Sequence, residues 1–221
     1  VVRVRAQLAR VTTCGGCRSL ATIVGQHMPR TRLSGWQVWR LLAEREPPYI
    51  DRMRIIGLAG WSGSGKTTLI TKLIPRLTAR SLRVSTLKHA HHGFDLDQPG
   101  KDSFMHRAAG ATEVIVSSAR RFAILHELRD EPEWDLLDLV AKMSAVDLVL
   151  VEGFKRDAFP KIEVHRTANG KPLIHPDDPY IVAIAADTAL PQAKVPVVDL
   201  DDVEAVAELV LANAIPLEKA E

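Results

Sequence analysis

The residues Gly60-Trp61-Ser62-Gly63-Ser64-Gly65-Lys66-Thr67 carry the spacing G-x-x-x-x-G-K-T and fall between two apolar patterns of different period. Ahead of them, Ile55, Ile56, Leu58 and Ala59 suit a buried parallel strand; behind them, Leu69, Ile70, Leu73, Ile74 and Leu77 repeat at helical spacing. A strand, a glycine-rich turn and a helix in that order form a phosphate cradle. The glycines let the backbone bend until successive N–H groups converge on one anion, and the helix N-terminus adds the positive end of its dipole. Gly60, Ser62, Gly63, Ser64, Gly65, Lys66, Thr67 and Thr68 are therefore the candidate nucleotide-binding residues. Lys66 is placed to reach the β- and γ-phosphates and Thr67 to ligate Mg²⁺. This P-loop implies an α/β domain built on a mostly parallel sheet flanked by helices.

Such a cradle needs a second acid on a neighbouring strand to complete the Mg²⁺ shell. In "VDLVLVEGFK" the apolar run Leu148 to Val151 reads as a fully buried strand with Glu152 at its carboxyl end, the edge where ligands gather in open α/β sheets. Glu152 is the candidate metal residue, directly or through water. Asp147, at the other end, reads as a surface or capping residue. Further strands are expected in "LRVSTLKH", "YIVAIAAD" and "VPVVDL", a two-stranded hairpin in "TEVIVSSARRFAILHEL", and an amphipathic helix in "EWDLLDLVAKM". Asp201 and Asp202 begin a final helix facing inward through Val203, Val206, Ala207 and Val210, after which the last six residues are expected to fray.

Charge divides the chain. Residues 1–52 hold nine Arg, no Lys and three acids, a surplus of six positive charges against a net +2 for the whole, so residues 53–221 are mildly acidic. This predicts a basic extension over 1–52, poorly ordered or not native and resembling an organellar transit peptide in composition, followed by one domain over 53–221 whose translation starts at Met53. No stripe of basic and aromatic residues points to nucleic acid, and no apolar run approaches the roughly 18 residues of a membrane span. Both cysteines, Cys14 and Cys17, lie in the extension with only His27 nearby, too few ligands for zinc. A body without cysteine fits a reducing, cytoplasmic location.

The most concentrated chemistry lies in "TLKHAHHGFDLDQPGKDS", Thr86 to Ser103, which holds three histidines, two lysines and three aspartates. It begins at the end of a strand on the ligand edge. In extended geometry His89 and His91 share a face and His92 points away, a poor trio for zinc. The better reading is a segment that senses the γ-phosphate and its metal, with Asp102 in the outer metal shell and Lys88 or a neutral histidine on a phosphate. For each histidine a solvated surface role stays open.

Four segments, "GLAGWSGSGKTTLITKLIPRL", "TLKHAHHGFDLDQPGKDSFMHRAAGA", "DLVLVEGFKRDAFPKIEVHR" and "YIVAIAAD", together resemble the molybdopterin-guanine dinucleotide biosynthesis adapter family, MobB. The likeness runs from Met53 to about Asp199. It implies a P-loop, GTP-binding accessory protein of molybdenum cofactor biosynthesis, a homodimer acting beside the guanylyltransferase MobA that joins GMP to molybdopterin; contact with molybdopterin itself stays open. Guanine selection is harder to read, because the Asn-Lys-x-Asp signature of regulatory GTPases is missing. Asp187 is the best substitute, since a carboxylate accepts from the guanine N1–H and amine; it serves equally well as a cap of the next turn. Slow Mg²⁺-dependent hydrolysis is the expected chemistry, with Arg107, Arg121 and Arg156 as unranked candidates for a finger in trans. Lys155, Arg156 and Lys161 suggest a basic patch for a pterin phosphate. The rival reading is a P-loop small-molecule kinase, which would need an Arg-rich lid over the transferred phosphate.

Overall fold

A computed structural model describes residues 53–90 and 93–217. Its elements in chain order are β1 (Arg54–Ala59), α1 (Lys66–Ala79), β2 (Val84–Lys88), α2 (Asp102–Ala108), β3 (Glu113–Ser117), β4 (Phe122–His126), α3 (Leu136–Ala141), β5 (Leu148–Glu152), β6 (Lys161–His165), β7 (Ile181–Ala186), β8 (Val197–Asp199), α4 (Val203–Asn213) and β9 (Ile215–Pro216). Strands β2-β5-β1-β6-β7-β8 lie side by side in parallel, and β9 joins β1 antiparallel to make a seven-stranded sheet. Among the described residues no helix is long and apolar enough to cross a membrane.

The central strands are apolar on both faces because both faces are covered. Ile56, Leu58, Leu148 and Leu150 face α1 and α4; Ile55, Val149 and Val151 face α3 on the other side. Helix α1 buries Leu69, Ile70, Leu73 and Leu77, the stripe read from the sequence. Helix α4 starts at Asp202, whose carboxylate accepts the Ala205 N–H at 2.9 Å, and α3 starts at Asp135, which accepts the Asp138 N–H at 2.8 Å. Asp147 has the capping role expected of it: it accepts the Arg83 N–H at 2.8 Å and pairs with that guanidinium, tying the start of β2 to β5. The Arg83 side-chain hydrogen bond, with its backbone N–H second, lowers the Asp147 carboxyl to about 2. Strands β3 and β4 form the expected hairpin as a separate two-stranded sheet, with Ile115, Val116, Phe122 and Ile124 exposed.

Two elements depart from the sequence reading. Strand β6 was not anticipated. The tail does not fray at once: Ile215 and Pro216 pair with Ile55 and Arg54, and Leu217 is buried, its N–H donating to the Met53 carbonyl at 2.8 Å. The cause is a gap in pairing. Strand β6 meets β1 only from Gly57 onward, so the first residues of β1 would present unpaired backbone on that side, and β9 fills the edge. Residues 1–52, including Cys14 and Cys17, as well as 91–92 and 218–221, lie outside the described residues.

Candidate nucleotide site

The carboxyl ends of β2, β5, β1, β6 and β7 share one edge of the sheet, and the residues singled out from the sequence gather there. At the end of β1 the chain turns through Gly60, where a Cβ would come within 2.5 Å of the Val164 carbonyl oxygen and 2.7 Å of Ser64 Oγ; any other residue would push β6 away. Gly65, in the left-handed region at φ 93°, precedes α1 and supplies no side-chain cap. Among the described residues the first N–H groups of α1 therefore have no side-chain capping acceptor and remain available to an anion. Ser64 Oγ is buried and lacks a hydrogen-bond partner among the described residues. An orphaned hydroxyl, an uncapped helix start and glycines that a Cβ would clash with are the features expected of a phosphate cradle. The residues present fit a nucleotide triphosphate.

Lys66 folds back over this loop, its Nζ donating to the carbonyls of Gly60 at 3.0 Å and Trp61 at 2.9 Å. Burial lowers its amine from the usual value, against a smaller opposing pull from the Glu152 carboxylate. Glu152 stands where the sequence put it. The Thr67 hydroxyl faces both its oxygens, at 3.4 and 3.3 Å, and Lys88 Nζ lies 3.7 Å from one of them. The Thr67 contact is wider than a tight O–H···O bond, so neither oxygen is committed by it. The histidine stretch begins against this group: the His89 N–H donates to the Glu152 carbonyl at 2.9 Å, and the His89 Cβ packs where Gly153 has no side chain. The His89 ring pairs with Glu133 at 2.7 Å. His91 and His92 lie outside the described residues.

Other expectations fare differently. Asp102 opens α2 as an exposed residue and makes no hydrogen bond with Thr67 or Glu152 among the described residues. Asp187, at the end of β7, uses Oδ1 to accept both the Thr167 N–H at 2.9 Å and the Thr167 hydroxyl at 3.0 Å. The backbone bond to Thr167 is the main reason its carboxyl sits below the usual range. Asp187 thus caps the turn after β6. Among the described residues no group of three or more His, Cys, Asp or Glu is arranged to hold a metal ion. Arg107, one of the trans-finger candidates, is already engaged by Asp95, Asp97 and Glu127. Lys161 corrects the notion of a basic patch: it is fully buried, its three donors meeting the Lys155 carbonyl at 3.1 Å, the Asp157 carbonyl at 2.8 Å and Asp178 Oδ2 at 3.0 Å.

Sequence reasoning missed the segment that follows β6. Asn169 Nδ2 donates to the Ser62 carbonyl at 3.3 Å, and Trp61 Nε1 donates to the Pro172 carbonyl at 2.8 Å, so this segment clasps the phosphate loop from the side opposite Glu152. Buried Glu163 anchors it by accepting the N–H groups of Ile174 and His175, each at 2.8 Å. The signal available was weak: an acid between Ile162 and Val164, two residues after Lys161, reads as part of an exposed charged face.

A family model described as molybdopterin guanine dinucleotide synthesis protein B, MobB, matches residues 55–187. The chain belongs to the MobB family. It is 44% identical over 160 residues to the molybdopterin-guanine dinucleotide biosynthesis adapter protein of Escherichia coli (strain K12), covering 71% of this chain and 91% of that relative. The Haemophilus influenzae protein of the same description is 44% identical over 140 residues, 63% of this chain and 78% of its own. The crystal structure of Bacillus subtilis MobB superposes with a TM-score of 0.57 at 25% identity, over 73% of this chain and 98% of that one. The P-loop, β5 with Glu152, β6 and β7 all lie inside the matched MobB segment.

Proposed function

We propose that this MobB-family chain is a GTP-binding adapter of molybdenum cofactor biosynthesis that assists the guanylyltransferase MobA, as a cytoplasmic homodimer. The observation that carries the nucleotide reading is the convergence of Thr67, Glu152 and Lys88 beside an uncapped helix start that already holds Lys66. Thr67 and Glu152 are the residues that would hold Mg²⁺, directly or through water. Bound there, the ion would neutralise charge between the β- and γ-phosphates. Lys66 exchanges its two carbonyl partners for phosphate oxygens, and the N–H groups at the start of α1 bind the phosphate chain. Asp187 stands at the strand end where a base edge would lie, and selects guanine over adenine if it trades its Thr167 partners for the guanine donors.

Slow turnover, on the order of 10⁻⁴ s⁻¹ as for an unassisted site, is the expected chemistry. Arg120 and Arg121 stand at the tip of the β3–β4 hairpin, a two-stranded sheet rather than an arginine-bearing helical segment, which favours the adapter reading over that of a small-molecule kinase. The homodimer reading finds support in the exposed Ile115, Val116, Phe122 and Ile124 on that hairpin. The test is a titration of the purified chain with GTP and ATP, with and without Mg²⁺, for the native sequence and Glu152→Gln. GTP binds, Mg²⁺ tightens it, and Glu152→Gln removes most of the Mg²⁺-dependent gain while leaving metal-free binding intact. Turnover of many GTP per second by the chain alone would replace the adapter reading with that of a catalyst.

A further inference from the structure

We propose that Arg166 is a phosphate ligand of this site, supplied by the turn after β6 on the side away from the metal. The inference rests on the nucleotide-binding reading and adds a residue to it. Strands β5 and β6 flank β1 on opposite sides, so Glu152 approaches the P-loop from one side and Arg166, directly after β6, from the other. The guanidinium lies over Gly65: a Cβ there would be 3.3 Å from Arg166 Nε and 3.7 Å from Nη2. Gly65, Thr68, Lys72, Leu200, Asp201 and Arg166 line one crevice along the first turns of α1, where Asp201 is paired with Lys72. The cation therefore lies beside the first turn of α1, which has no side-chain cap.

Its lack of partners despite partial burial is what distinguishes it, since Arg76, Arg120, Arg121 and Arg156, which also make no side-chain hydrogen bond or ion pair among the described residues, are exposed. Arg80 and Arg107 engage two or more carboxylates each and Arg83 engages Asp147, whereas the half-buried Arg166 side chain makes no hydrogen bond or ion pair among the described residues. Asp187 acts on it only through space. A guanidinium beside the positive end of a helix is a pairing suited to a phosphate, which accepts from both. The turn that carries Arg166 is also fixed in place. Thr167 is tied to Asp187 through N–H and hydroxyl, the Asn169 N–H donates to the Arg166 carbonyl at 3.1 Å, and Asn169 Nδ2 reaches the Ser62 carbonyl. With the backbone of the turn held this way, only the side chain itself has still to be ordered on binding.

The experiment measures dissociation constants for GTP and ATP, with and without Mg²⁺, on the full chain and on Arg166→Gln. A lost charge-assisted contact weakens both nucleotides by about 10- to 100-fold. The loss is the same with and without Mg²⁺, whereas Glu152→Gln loses affinity only when Mg²⁺ is present. Arg166→Lys, which keeps the charge without the fork, falls between native and Gln and stands in if the glutamine variant does not fold. Affinities within about twofold of native for the variant measured, a loss for GTP but not ATP, or a loss confined to Mg²⁺ conditions each overturn the assignment. A native chain that binds neither nucleotide sinks the function reading itself, a result distinct from those three.

Discussion

Gly57 interrupts an otherwise apolar β1, and its reason lies across the sheet. A Cβ at that position would come within 2.5 Å of Lys161 Cγ and 2.9 Å of a Phe159 ring carbon. The glycine is the space through which the stem of a buried lysine passes on its way to Asp178, with the Phe159 and Tyr180 rings each 5.4 Å from the ammonium. Gly57→Ala should cost about 1–3 kcal/mol by overpacking, measured as a shift of the denaturant midpoint at unchanged slope. From sequence alone Lys161 looked like surface charge, because burial of a lysine is rare and depends on three acceptors brought in by segments on either side of β6.

Strand β6 and the segment after it show what a single sequence reveals of an element and what it withholds. The P-loop, α1 and β5 were legible because each carries a long regular pattern and a chemical marker, Gly-Lys-Thr or a strand-end acid. "KIEVH" has only Ile162 and Val164 as apolar markers, and its two charged residues, Lys161 and Glu163, read as exposed although both are fully buried. Glu163 is buried because its partners are backbone N–H groups of a loop about ten residues onward, which no residue pattern encodes. Glu152 could be placed from strand polarity, but the Asn169 and Trp61 contacts could not, since they join loops. Glu163→Gln turns one acceptor into a donor facing an N–H, at a cost of about 1–3 kcal/mol. Because the freed segment carries the Trp61 and Ser62 contacts, GTP affinity should fall alongside stability; melting curves with and without GTP measure both.

Across the whole molecule, acidity and stability are linked through carboxylates whose folded-state values lie below the ordinary range. Asp147, lowered to about 2 by Arg83, ties β2 to β5; Asp95, lowered chiefly by Arg107, and Asp187, lowered chiefly by the Thr167 N–H, brace loops at the opposite edge. An unfolded aspartate titrates near 3.9, so the stability these groups supply is complete above about pH 5 and drains away as pH falls through 4 toward 2. Asp95 and Asp187 are exposed and Asp147 is partly so, and solvent screening keeps each individual effect modest. Melting temperatures taken from pH 6 to pH 2.5 should fall on the acid side, and Asp147→Asn should flatten that fall while melting lower than native at pH 6.

The antiparallel partner of β1 carries a mechanical implication. Ile215, Pro216 and Leu217 grip the root of the same strand whose far end opens into the phosphate loop. A pull applied beyond Leu217 reaches the nucleotide cradle through one strand, with no helix or linker between to absorb it. A handle attached at that end of the domain would be expected to report on, and to disturb, what the loop is holding.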